Sequence, residues 1–142
     1  MTTLQIKKFY EDASVPKKGH VCDAGWDLYS YENEVIPPMS WKCISTGVGV
    51  TVPIGTYGRV APRSGVSNKG IMVNAGVIDR GYTGIIKCIL VNVSSSNDFY
   101  ISKNDRIAQL ILEKIVDDCE VEIVDEFVDT ERGDQGFGSS GI

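Results

Sequence analysis

Short runs of alternating apolar and polar residues, rich in β-branched side chains, recur along the chain. They are Leu4 to Phe9, Trp41 to Val52, Tyr57 to Ala61, Ile85 to Val93, Ile107 to Ile115 and Val121 to Val124. A period of two sends successive side chains of an extended strand to opposite faces, one toward a core and one toward solvent. Turn-forming residues punctuate the runs at Pro37-Pro38, Pro53-Ile54-Gly55, Arg80-Gly81 and Ser94 to Asp98, a spacing typical of a sandwich or barrel. Only Arg63 to Lys69 reads as a helical turn, with Ser64 or Ser67 as its cap. Fifteen glycines among 142 residues, about 11% against an average of roughly 7%, fit many turns and few long helices. The expected fold is all-β, a jelly roll or a similar sandwich. A chain of this length buries roughly 68–70% of its unfolded surface, so one domain can stand without disulfide or structural metal.

Other classes fall away on simple grounds. No run reaches the 18 or so apolar residues of a membrane-spanning helix, and MTTLQIKKFYEDAS lacks the apolar core of a signal peptide. A soluble, intracellular protein, cytoplasmic or nuclear and without a membrane partner, is expected. Cys22, Cys43, Cys88 and Cys119 include no CxxC pair, and His20 is the single histidine, which disfavours zinc. The cysteines read as small apolar side chains in a reduced compartment. A Ser-His-Asp or Cys-His hydrolase would have to use His20, which lies in KKGHVCD with no nucleophile elbow nearby.

The net charge of −5 is unevenly spread. Residues 116–134 hold nine acids and one base, Arg132, which leaves ten acids and thirteen bases, or +3, elsewhere. A mildly basic body is too weak for nucleic-acid binding by bulk electrostatics, but it suits a few arginines aimed at one small phosphorylated ligand. The acidic run reads as the solvated face of a strand.

Polar clusters interrupt the apolar runs. In Ala24-Gly25-Trp26-Asp27-Leu28 the carboxylate is either a turn former or a group held at a cation. Pro62-Arg63-Ser64-Gly65 reads as a capped turn with a solvated arginine, or as a compact anion site. Gly76 to Gly84, GVIDRGYTG, is a hairpin with Asp79 at its bend. It is either a plain turn or a place where glycines let a flat ligand approach the backbone. Asp105-Arg106-Ile107-Ala108-Gln109-Leu110 puts Arg and Gln on a strand near buried neighbours, where they either solubilise an edge or meet a partner. The terminal GDQGFGSSGI follows the last apolar run with four glycines. It reads as a mobile arm, either frayed or ordering around an anion when a ligand arrives.

Taken together, AGWDL (24–28), PRSG (62–65), GVIDRGYTG (76–84), RIAQL (106–110) and RGDQGFGSSG (132–141) resemble the five ordered motifs of the trimeric dUTP pyrophosphatase (dUTPase) family, over nearly the whole chain. The resemblance implies a distorted β jelly roll over 1–129 and a glycine-rich arm over 130–142. It also implies a homotrimer whose three active sites are shared between subunits, the arm closing over one of them. The implied reaction is hydrolysis of dUTP to dUMP and diphosphate with Mg2+ as cofactor, which keeps uracil out of DNA and supplies the thymidylate precursor.

Carried over motif by motif, Asp79 deprotonates the water that attacks the α-phosphorus, and Arg132 stabilises the leaving diphosphate. Asp27 holds magnesium through water. Arg63, Ser64, Gly65 and Gln109 grip the phosphates, and Arg106 braces the site. Tyr82 packs beneath the deoxyribose and refuses a 2′-hydroxyl. The backbone of Gly76, Val77 and Ile78, with Lys87 nearby, reads the uracil edge. Phe137 stacks on the base when the arm closes, with Gly138 and Ser139 beside it. Trp26, Arg80-Gly81 and Ser140 depart from the usual family residues, and none of them removes a side chain with an assigned role.

Two rival readings have sequence tests. The related dCTP deaminases require an arginine-rich helix motif in place of PRSG and a glutamate in the strand after the hairpin, where Ile85 to Ile89 contains no acid. A non-catalytic jelly-roll binding module would be marked by loss of Asp79, Tyr82 or the arm, and all three are present.

Overall fold

The computed structural model describes residues 2–141, so only the outermost residues of the two expected segments, 1 and 142, lie outside it. The elements run β1 (Gln5–Lys8), β2 (Gly25–Tyr29), β3 (Glu34–Ile36), β4 (Ser40–Ser45), β5 (Val48–Thr51) and β6 (Thr56–Ala61). Then follow α1 (Ser64–Ser67), β7 (Ile71–Asn74), β8 (Val77–Ile78), β9 (Lys87–Asn92), β10 (Phe99–Ile101) and β11 (Arg106–Lys114). Pairing is antiparallel throughout, in the orders β2-β11-β6-β8, β4-β9-β7, β1-β5 and β10-β3. Leu28, Ile36, Ile44, Val50, Val60, Ile71, Ile78, Leu90, Ile101 and Ile107 join one buried cluster. Strands β2 to β11 therefore all wrap around a single core, which gives the expected all-β sandwich.

Alternation is clearest in β9, where Cys88, Leu90 and Asn92 point inward. Asn92 is buried but satisfied, its amide donating to Ile36 O at 3.0 Å and Asn97 O at 2.8 Å, as a buried polar group requires. In β11 the register against β2 shifts between Arg106 and Ala108. Such a bulge re-aims the side chains that follow it. Ala108 and Leu110 go to the core, and Gln109 turns outward.

Several expectations are corrected. The run Trp41 to Val52 is two strands in two sheets, β4 against β9 and β5 against β1, because the chain turns at Gly47 with φ +70°. Val121 to Val124 forms no strand. Val121 and Ile123 stand 95% and 94% exposed, so among the described residues of this chain the alternation there finds no strand to pair with. AGWDL enters a strand rather than a turn, with Asp27 inside β2. The short strands β3 and β10 were not foreseen. Helix α1 lies where a helical turn was expected, but Arg63 occupies the N-cap position and no side chain caps it. Of the four cysteines only Cys88 is buried; Cys22, Cys43 and Cys119 are exposed.

Candidate active site

Strands β2, β11 and β6 run side by side, and their register aligns Asp27 with Gln109 and Gln109 with Ala61. The chain then leaves β6 as Pro62-Arg63 and enters α1. A carboxylate, an amide and a guanidinium are thereby gathered at one end of the sheet. Arg63 Nε donates to Asp27 Oδ1 at 2.8 Å, and its Nη1 donates to Arg106 O at 3.3 Å. Gln109 Nε2 donates to Pro62 O at 2.8 Å. Asp27 N donates to Lys17 O at 2.7 Å, fixing the outer side of β2. A Cβ on Gly25 would lie 2.5 Å from Gln109 Oε1, so a larger residue there would displace the Gln109 side chain.

These residues wall a cleft of about 370 Å³, lined by Asp27, Arg63, Ser64 and Gln109 together with His20, Asp23 and Arg106. Gly65 faces the adjoining cleft on the other side of Arg63. Sequence reasoning gave Asp27 and Arg63 separate tasks, and the structure joins them in an ion pair with both side chains half-buried or more. It missed His20 and Asp23 as lining groups. The Asp23 carboxylate accepts the His20 backbone N–H at 2.8 Å; the only hint in sequence was the polar stretch before AGWDL.

The second group lies on a different edge. The β7–β9 hairpin carries a long loop, and within it β8 crosses to pair with β6, Val77 opposite Arg59 and Ile78 opposite Gly58. Gly76 adopts φ +112°, and its carbonyl accepts Val60 N–H at 2.7 Å; a Cβ there would lie 2.6 Å from Val60 O. Ile78 is buried and Val77 is exposed, and β8 ends the four-strand order with β6 as its one neighbour in that sheet, so its other backbone edge is left unpaired there. Asp79 then opens a turn in which Tyr82 N–H donates to Asp79 O at 3.0 Å. The Tyr82 hydroxyl donates to Ile85 O at 2.8 Å, which holds its half-exposed ring over the loop. Lys87 begins β9, exposed, opposite Ser45.

The two groups do not meet within one chain. Ile78 stands opposite Gly58 and Asp27 is level with Ala61, on strands at opposite ends of the four-strand order. With a rise of about 3.4 Å per residue and strands about 4.8 Å apart, Asp79 and Asp27 are separated by on the order of 20 Å.

The third group follows β11. Beyond the Ile115 N–H to Gly55 O bond at 3.0 Å, the backbone hydrogen bonds of the described residues 116–141 are local. Arg132 Nε donates to Gln135 O at 2.9 Å, Ser139 N–H donates to Gly136 O at 3.1 Å, and Phe137 is fully exposed next to Gly138. Arg132, Phe137, Gly138 and Ser139 thus lie on one arm and make no hydrogen bond or ion pair with either of the other groups among the described residues.

Between the cleft and the hairpin, Glu113 accepts Arg59 Nε at 2.6 Å and the Tyr57 hydroxyl at 2.5 Å. These bonds hold the Glu113 carboxyl below its usual range and push the Tyr57 phenol up. The trio ties β6 to β11 beneath the site. Among the described residues no three His, Cys, Asp or Glu converge as a metal cage.

A family model for dUTPase matches residues 11–141. The deoxyuridine 5′-triphosphate nucleotidohydrolase of Saccharomyces cerevisiae is 50% identical over 139 residues, covering 97% of this chain and 94% of its own. Among solved structures, a variant of the Staphylococcus bacteriophage 80alpha dUTPase with dUpNHpp is similar over the whole of both chains, with a TM-score of 0.93 and 32% identity. A variant dUTPase from phage phi11 of S. aureus, described for its coordination of a structural Mg(II) ion, is similar with a TM-score of 0.82 and 30% identity. That likeness covers 88% of this chain and 98% of the phage chain.

Proposed function

This chain belongs to the dUTPase family, and from that membership we propose how its residues carry out the hydrolysis of dUTP to dUMP and diphosphate. The observation that carries the reading is the cleft in which Arg63, Asp27 and Gln109 are locked together by the register of three strands. A fixed guanidinium beside backbone and hydroxyl donors suits a phosphate chain, and Ser64 adds the hydroxyl.

Asp79 accepts a proton from water as the water oxygen bonds to the α-phosphorus; the bond to the bridging oxygen breaks and diphosphate leaves. A carboxylate within reach of that water serves as its general base. Arg132 neutralises charge building on the leaving group, as an arginine finger does. Tyr82, pinned through its hydroxyl to Ile85 O, presents its ring to the deoxyribose and leaves no space for a 2′-hydroxyl. The backbone of Gly76 to Ile78, with Lys87 near it, reads the uracil edge.

The donor set fits magnesium held indirectly. Two carboxylates line the cleft, Asp27 with one oxygen taken by Arg63 and Asp23 with one taken by the His20 backbone N–H, and magnesium keeps several waters and takes phosphate oxygens readily. Bound with the triphosphate, the ion neutralises phosphate charge.

We propose a homotrimer with shared sites. The separation of Asp79 from Asp27 within one chain supports it, because a nucleotide needs its attacking water and its phosphate clamp together. Residues 1–129 then form the catalytic body, and 130–142 the arm that closes over a site with Phe137 on the base. The test is diphosphate release with magnesium from dUTP, dCTP, dTTP and UTP in parallel. Release from dUTP alone is expected; equal release from UTP would overturn the role given to Tyr82.

A further inference from the structure

A second cleft, of about 500 Å³, adjoins the first across Arg63 and Arg106, which line both. It lies between α1 and the β10–β11 connection, and beyond Arg63, Gly65 and Arg106 its lining has no part in the mechanism above. Lys69 faces it from the end of α1, opposite Arg106 and the exposed Tyr100. The charged groups around it are Arg63, Lys69 and Arg106 against one carboxylate, Asp105.

Two features favour an anion. Lys69 and Arg106 enter no ion pair among the described residues, and the Arg63 guanidinium is held still by Asp27 and Arg106 O. The opposite wall is equally fixed. Asn104 N–H donates to the buried Ser30 O at 2.7 Å, and Ser30 N–H donates to Asp105 O at 2.9 Å. Asp105 Oδ2 accepts Ser102 N–H at 2.8 Å, which turns part of the only negative group away from a ligand. A concave site with rigid walls and one guanidinium already fixed costs less to order when an anion arrives.

We propose that this cleft is a second phosphate-anion site, one per chain, that takes inorganic diphosphate beside the occupied substrate site. The assignment rests on the dUTPase reading, since the reaction supplies the diphosphate and Arg63 connects the two clefts. Diphosphate carries several negative charges on a compact body, and Lys69, Arg106 and the outer side of Arg63 converge on such a ligand. Bound there, it shares Arg63 and Arg106 with the substrate cleft and opposes the release of the next diphosphate.

The test uses the full chain with magnesium and saturating dUpNHpp, titrated with inorganic diphosphate in a calorimeter. The expected result is one further diphosphate per chain. Lys69→Ala should weaken it about tenfold, the loss of one charge-assisted contact, and Lys69→Arg should retain it. The dUTP kcat/KM of Lys69→Ala should equal that of the unaltered protein. Absence of diphosphate binding once dUpNHpp is in place, or equal binding to Lys69→Ala, overturns the site. A parallel fall of kcat/KM would assign Lys69 to the substrate cleft and overturn it too. A parallel titration with dCTP separates the sources: binding of dCTP without binding of diphosphate overturns the ligand assignment. Failure of dUpNHpp itself to bind would strike at the dUTPase reading instead.

Discussion

Arg63 and Asp27 are 36 residues apart in sequence and 2.8 Å apart in space, Nε to Oδ1, with the guanidinium also reaching Arg106 O. One side chain thereby links three of the five motifs, and the phosphate clamp and the carboxylate assigned to magnesium share a single hydrogen-bonded unit.

Asp27→Asn should therefore keep the fold while disturbing the metal. The amide oxygen can still accept from Arg63, so the half-buried guanidinium is not stranded. The charge that orients a hydrated cation is lost, and such outer contacts are worth roughly 10–100-fold in metal affinity. The magnesium concentration giving half-maximal dUTP hydrolysis should rise by about that factor, with an unchanged circular dichroism spectrum. An unaltered magnesium midpoint would remove Asp27 from that role.

Asp79→Asn removes the proton acceptor and keeps the shape of the turn. The turn is closed by main-chain atoms, Tyr82 N–H to Asp79 O, so Tyr82 and the β8 backbone should stay in place. Binding of dUpNHpp should be largely retained while kcat falls by at least about 100-fold, the lower scale for a positioned base. Turnover close to that of the unaltered protein would reject the assignment.

How much of this could be read from the sequence depended on how each residue is stabilised. Tyr57 to Ala61 and Ile107 to Ile115 alternate cleanly because one face meets the core, and they became β6 and β11 almost as expected. β2 was hidden because Gly25 and Asp27 look like turn residues, although Gly25 is there to admit Gln109 and Asp27 to meet Arg63. β3 and β10 are three residues long and held by pairing with each other and by burying Ile36 and Ile101, contacts that spacing does not reveal. Val121 to Val124 failed in the opposite way, with the right alternation and no surface among the described residues of its own chain to cover its apolar side. The candidate residues were legible as ordered motifs. Their division into three groups was not, since it follows from β8 leaving the hairpin to join β6.

Gly76 offers a stability test of that crossing. Its φ of +112° is one that side-chain-bearing residues rarely adopt, and a Cβ would press on Val60 O at 2.6 Å. Gly76→Ala should destabilise the protein by roughly 1–3 kcal/mol, the cost of a strained backbone position. It should also weaken dUTP binding, because relief requires the β8 backbone to move away from β6. Urea unfolding and KM measured on one preparation check both effects.

Burial pushes the Cys88 thiol up to about 12 from an ordinary 9.0. The unfolded thiol ionises first, so stability is unaffected below pH 9 and falls as pH climbs from 9 toward 12. Between pH 8 and pH 10 the native protein should lose more unfolding free energy than Cys88→Ala, which lacks the group. Iodoacetamide at pH 8 should leave Cys88 unmodified until the chain unfolds, while the exposed Cys22 and Cys43 react. Equal slopes for the two proteins would show that another group governs the alkaline limb.

The arm gives the sharpest separation of folding from turnover. After Ile115 the described backbone makes no hydrogen bond to the strands, and Arg132 and Phe137 contribute nothing to the buried cluster. Ending the chain after Thr130 should therefore leave the melting temperature within a few degrees, since exposed residues outside the core typically change stability by less than about 0.5 kcal/mol each. If Arg132 neutralises the leaving diphosphate and Phe137 covers the base, the same truncation should cut kcat by 10²-fold or more, on the order of one lost oxyanion donor. Arg132→Ala alone should reproduce most of the kcat loss, and Phe137→Ala should act mainly on KM. A truncated chain that turns over dUTP at the full rate would separate the arm from the chemistry and leave Asp79, Arg63 and Asp27 to carry it.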